Sequence, residues 1–115
     1  MPTIDTSATA FERTIRLAQV AEDTGYDSFW VPQHRFGADD AHLPSPLILL
    51  AALARETDQV FLGTASIAAA LEHPRRLAED AAVVDVLSAG RLELGLGSGS
   101  DPIASKAWGL DHVRR

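Results

Sequence analysis

Cysteine is missing from the 115 residues. Disulfide staples, thiolate nucleophiles and cysteine zinc sites are thereby excluded, and a reducing compartment suits the chain. Positive charge is scarce: Lys and Arg number 10 against 16 Asp and Glu, for a net charge of -6. Such a balance offers no electrostatic footprint for nucleic acid or an anionic membrane. Long apolar runs are also lacking. The longest, Leu47 to Ala54, is far below the ~20 residues that cross a bilayer, and no basic stretch followed by an apolar one marks the N-terminus. A cytoplasmic protein is expected. Aromatic residues make up only 6%, yet 46% hydrophobic and 23% charged residues are the mixture of an ordinary globular chain. One domain over residues 1–115, with a core of its own, is expected.

What is present is organised around Val60 to Gly99, which reads as strand, helix, strand. Val60 to Ile67 is apolar and β-branched, and Leu92, Leu94 and Leu96 alternate in a second run. Pro74 opens and Gly90 closes the helix between them. A crossover helix makes the two strands parallel, so their C-terminal ends open onto one rim. The rim residues are Thr64, Ala65, Ser66, Gly97, Ser98 and Gly99, small enough to let a ligand approach the backbone.

Upstream, Met1 to Ala8 reads as a loose lead-in. A capping box of Thr9 and Glu12 starts the first helix, Phe11, Ile15, Ala18 and Ala21 mark its buried face with Leu17 on the shoulder, and Gly25 stops it. Glu12, Arg13, Arg16 and Glu22 are expected in solvent. Ser28 to Val31 is a strand ended by Pro32, and Gly37 to Pro44 is a loop. Ser45 caps a helix with Pro46 at its first position, running to about Thr57 and leucine-rich enough to be well buried. The second strand is Val60 to Ser66, and Ile67 to Glu72 connects it to the third helix, with Leu77, Ala81, Val84 and Leu87 on one face. Arg91 to Leu96 is the third strand, followed by a turn to Pro102 and a short helix, Ile103 to Leu110. Trp30 and Phe61 are expected in the core.

Several constellations admit more than one chemistry. Gly95, Gly97 and Gly99 follow a strand, as a phosphate cradle would, but Ser100 stands where a dinucleotide fingerprint has its third glycine. A tight strand-to-helix turn explains them equally. His34, at a strand end, suits a base, a donor or a hydrogen-bonded rim residue. Thr64 and Ser66 can bond a ligand or satisfy backbone groups. His42, His73 and His112 lack metal-ligand spacing, so no metal site is expected.

The stretches AEDTGYDSFWVPQHRFG, LPSPLILLAALARETDQVFLGTASI and HPRRLAEDAAVVDVLSAGRLELGLGSG, in that order, resemble the N-terminal part of luciferase-like flavin-dependent monooxygenases, the family of the bacterial luciferase subunits. The resemblance implies an α/β fold, a partial (β/α)8 barrel of about three parallel strands with flanking helices. The family's first strand and the C-terminal half of the barrel have no counterpart, and a typical barrel needs ~250 residues. It also implies oxidation of an organic substrate by molecular oxygen through reduced FMN, or a deazaflavin in some branches, with a partner flavin reductase. The family's Glu-His-His-Phe pattern falls on Gln33, His34, Arg35 and Phe36, which makes His34 the implied catalytic residue while an acid and a second imidazole are lost. Its Gly-Thr-Ala strand end falls on Gly63, Thr64 and Ala65, and a non-proline cis peptide is implied between Ala65 and Ser66. Thr64, Ala65, Ser66, Gly97, Ser98 and Gly99 are the implied cofactor-binding residues. A fragment inactive by itself is expected, forming a homo-oligomer or joining a missing barrel half. The alternative is a non-catalytic half-barrel that binds flavin or oligomerises.

Overall fold

The computed structural model describes residues 3–33 and 43–98. Helix α1 (Thr3–Asp23) leads into β1 (Ser28–Val31), then α2 (Pro46–Glu56) and β2 (Phe61–Thr64) follow. A two-residue strand β3 (Ile67–Ala68) and a 3-10 turn at Ala69–Leu71 precede α3 (Pro74–Leu87), and the order ends with β4 (Leu92–Glu93) and β5 (Leu96–Gly97). The principal sheet is β1-β2-β4 and the second is β3-β5, all pairs parallel. The α/β class, parallel strands and flanking helices agree with the sequence reading. The expected second strand, Val60 to Ser66, shortens to β2, and β3 forms in Ile67 to Glu72, expected only as a connection, while the expected third strand, Arg91 to Leu96, divides into β4 and β5, the latter ending at Gly97.

α2 carries the core. Pro46 holds its first turn, where a missing N–H costs nothing, and Leu47, Leu49, Leu50, Leu53 and Ala54 are buried. It packs between α1 and α3 and against β2. Leu50 and Leu53 are wholly inaccessible, which is about 2 kcal/mol of transfer free energy each. Ser45 adds no side-chain cap, contrary to expectation; its carbonyl instead accepts from the N–H groups of Ile48 and Leu49.

The first helix begins two turns before the expected Thr9, so Thr9 and Glu12 lie inside it rather than at its cap. Few large apolar residues precede Thr9, an argument against a buried strand there, but a helix satisfies its backbone internally and can form without a run of large apolar residues. Ala18 is fully buried and Ile15 packs on the core, whereas Phe11 and Leu17 are exposed. In α3, Leu77, Ala81 and Val84 face the core while Leu87 does not. Gly25 and Gly90 follow their helices with positive φ, and the His73 imidazole Nδ1 accepts from the Arg76 N–H at 3.4 Å, capping α3.

Trp30 and Phe61 correct the sequence reading: both are exposed, at 44% and 42%. Strand alternation is the cause. Phe29, Val31 and Leu62 turn toward the helices, so Ser28, Trp30, Phe61 and Gly63 fall on the opposite, open face. There the indole donates to Ser28 Oγ at 2.9 Å and covers Gly63, where a methyl group would lie 2.3 Å from the ring.

Candidate functional site

The two ends of the sheet are built differently. At the N-terminal base, Arg91 is 8% exposed and spends all five N–H donors on main chain and one hydroxyl. Nε donates to the Ser88 carbonyl at 2.7 Å, Nη1 to Thr57 Oγ1 and the Val60 carbonyl at 2.9 Å each, and Nη2 to the carbonyls of Ala54 and Thr57 at 3.0 and 3.1 Å. Gln19 donates to the Glu56 carbonyl at 3.1 Å and the Thr57 hydroxyl to that of Leu53 at 2.7 Å. Three of the last carbonyls of α2, those of Leu53, Ala54 and Glu56, thereby find donors outside the helix ladder.

Half-buried Glu22, expected in solvent, completes the base. Its carboxylate accepts from the N–H groups of Asp58 at 2.9 Å, Gln59, and Val60 at 2.9 Å. Burial by itself works to raise its pKa, but the donors of Gln59, Val60 and Asp58, with the charge of Arg91, outweigh it and hold the carboxyl below its ordinary range. Sequence periodicity carries no sign of either role, because all the partners of Glu22 and all those of the Arg91 Nη groups are more than 30 positions away.

The C-terminal rim holds the residues singled out from sequence. Ala65 N–H donates to the Val31 carbonyl at 2.8 Å, and the Ala65–Ser66 peptide is cis, as the resemblance implied. Ala65, Ser66 and Ser98 are exposed, and Gly97 is half-buried. The Thr64 side chain is fully buried, and its hydroxyl donates to the Gly95 carbonyl and accepts from the Gly95 N–H, both at 2.8 Å. The hydroxyl is thus spent on backbone. Gly95 is a glycine for that reason, since a Cβ there would meet the Thr64 carbonyl oxygen at 2.0 Å. Beyond this joint, Ile67 pairs with Leu96 and Ala68 with Gly97, which brings Ser66 and the Gly97–Ser98 stretch to one edge. His34 and Gly99 lie outside the described residues, as do Arg35, Phe36 and the helix expected at Ile103 to Leu110.

Gln33, just past β1, was read from sequence only as a lost acid. Its Oε1 accepts from the Ala68 N–H at 2.8 Å, and its Nε2 donates to the Pro44 carbonyl at 3.2 Å and to Glu72 Oε2 at 3.4 Å. The signal available was its place at a strand end beside His34. Chemically, the rim offers an edge of small residues whose backbone is held by the Thr64 hydroxyl and the Gln33 amide.

Comparison with known proteins gives this rim a context. The model of the luciferase-like monooxygenase family matches residues 2–115. An uncharacterized Bacillus subtilis protein, YwcH, is 38% identical over 105 residues, covering 90% of this chain and 31% of that protein. The oxygenating constituent of 3,6-diketocamphane monooxygenase from Pseudomonas putida, solved in complex with FMN, superposes with a TM-score of 0.82 at 29% identity, over 86% of this chain and 27% of that one. The coenzyme F420 dependent tetrahydromethanopterin reductase of Methanopyrus kandleri gives 0.73 at 28% identity, over 88% and 27%. The chain therefore spans less than a third of the length of each of these relatives.

Proposed function

The chain belongs to the luciferase-like monooxygenase family, and from that premise we propose that the natural protein carrying it oxidises an organic substrate with molecular oxygen at a reduced flavin held on the rim. The observation behind this reading is the rim itself. Small residues, Ala65, Ser66, Gly97 and Ser98, stand at the C-terminal ends of parallel strands, where α/β folds of this kind keep their ligands. That edge fits a planar ring lying against backbone. FMN is the cofactor by likeness to the relative solved with it, and a deazaflavin is the alternative, by likeness to the coenzyme F420 dependent reductase. Bound and reduced, the flavin supplies the electrons that activate oxygen.

In this reading, Ala65 and Ser66 present the platform for the ring, and Thr64 holds the platform down through Gly95. Gly97, Ser98 and Gly99 admit the phosphate side. His34 orients the flavin edge or moves a proton there, without the acid and second imidazole that Gln33 and Arg35 replace. A separate reductase delivers the reduced flavin, in keeping with the relative described as an oxygenating constituent. The activity is that of the whole protein, of which residues 1–115 are one partial barrel domain. A second reading, a non-catalytic module that binds flavin or self-associates, is favoured by the exposed Trp30 and Phe61 on the open sheet face.

The natural gene product, titrated with FMN and assayed with reduced FMN and oxygen, separates the two. His34→Ala is expected to lower turnover by about a hundredfold or more while the melting temperature stays within a few degrees. Equal losses of turnover and stability make His34 structural. Flavin retained through gel filtration without any oxygen consumption supports the second reading.

A further inference from the structure

We propose that Gln33 is a positioning residue for the cofactor rim, an inference that rests on the flavin reading above. Its amide ties three segments together. The acceptor end takes the Ala68 N–H at 2.8 Å, and the donor end reaches the Pro44 carbonyl at 3.2 Å and Glu72 Oε2 at 3.4 Å. The Ala68 N–H requires an oxygen opposite it, which orients the amide and aims its NH2 at the other two acceptors. Ala68 is paired with Gly97, and Ile67 with Leu96. Gln33 therefore holds the strand pair that carries Ser66 on one side and Gly97 and Ser98 on the other.

Glutamine is suited to this place and glutamate is not. A carboxylate keeps the bond to Ala68 but has no hydrogen for the Pro44 carbonyl, and it faces the Glu72 carboxylate with like charge. Gln33 is half-buried, so its unmade bonds are only partly replaced by water. The arrangement predicts that loss of the amide loosens the rim before it unfolds the protein.

The natural gene product is the test material, with FMN as probe. Gln33→Met keeps the side-chain length and removes both halves of the amide. Gln19→Met removes a comparable amide bond, to the Glu56 carbonyl at 3.1 Å, at the opposite end of the sheet. Gln33→Met is expected to weaken FMN binding about tenfold, the worth of one or two hydrogen bonds, and to speed amide exchange at Ala68. Gln19→Met is expected to leave FMN affinity unchanged. Unchanged affinity in Gln33→Met, or equal weakening in both variants, overturns the inference. Should Gln33→Met not fold, Gln33→Glu takes its place with a severalfold loss expected, and undiminished FMN binding there overturns it equally. A wild-type protein that binds no FMN overturns the flavin reading itself, which the variants do not address.

Discussion

At the base of the sheet a guanidinium and a carboxylate bond the main chain between residues 54 and 60, whereas at the rim a threonine hydroxyl and a glutamine amide do the fastening. The same strands run through both. Charged groups make stronger hydrogen bonds than neutral ones, so the base is where this chain is closed most firmly. At the rim the groups that bond the backbone, the Thr64 hydroxyl and the Gln33 amide, are neutral, and the Glu72 carboxylate enters only through that amide. Under the proposed flavin reading, a rim that takes a large ring beside an anionic phosphate would gain from that arrangement, with stability supplied at the opposite end.

Breaking the base is expected to have the largest effect. Arg91→Ala leaves the carbonyls of Ala54, Thr57, Val60 and Ser88 without their donor, and a loss of about 4 kcal/mol is expected from urea denaturation. A loss below about 1 kcal/mol would remove the distinction between the two ends. Gly95→Ala comes next. Its methyl group would collide with backbone rather than with a flexible side chain, so about 2–3 kcal/mol is expected. Unlike Arg91→Ala, this variant should also lower FMN affinity in protein that remains folded, and preserved affinity would detach Thr64 and Gly95 from the site.

Acidification tests the base most gently. The Glu22 carboxyl has its pKa held below the ordinary value of 4.5, so its contribution is present above that value and is lost as pH falls through the lowered one. As pH falls below the ordinary value of 4.5, the urea midpoint of the wild type should drop more steeply than that of Glu22→Gln. Identical slopes would mean that the carboxylate charge contributes nothing to closing the base.

Much of the fold was legible. Ser28 to Val31 matches β1 residue for residue, and Pro46 and Pro74 open α2 and α3. These features depend on a few adjacent residues, each with its own conformational preference. The start of α1 was missed because the residues before Thr9 hold few large apolar side chains and so carry little periodic signal. Among the site residues, Thr64 offered two readings, and only the placement of Gly95 showed its hydroxyl spent on backbone. The cis bond at Ala65–Ser66 was reached through resemblance alone, since nothing in the local composition marks it.

From its sequence alone, then, the chain is an α/β protein with parallel strands, a leucine-rich central helix and a rim of small residues between Thr64 and Ser98. Periodicity, proline and glycine carry that much because they act over a turn or a strand. Tertiary structure decided which partner each polar side chain meets. Arg91 finds Thr57 across 34 positions and Gln33 finds Ala68 across 35. It decided also that Trp30 and Phe61 lie on the open face, since which face of a strand is covered depends on where the helices pack and not on the strand itself.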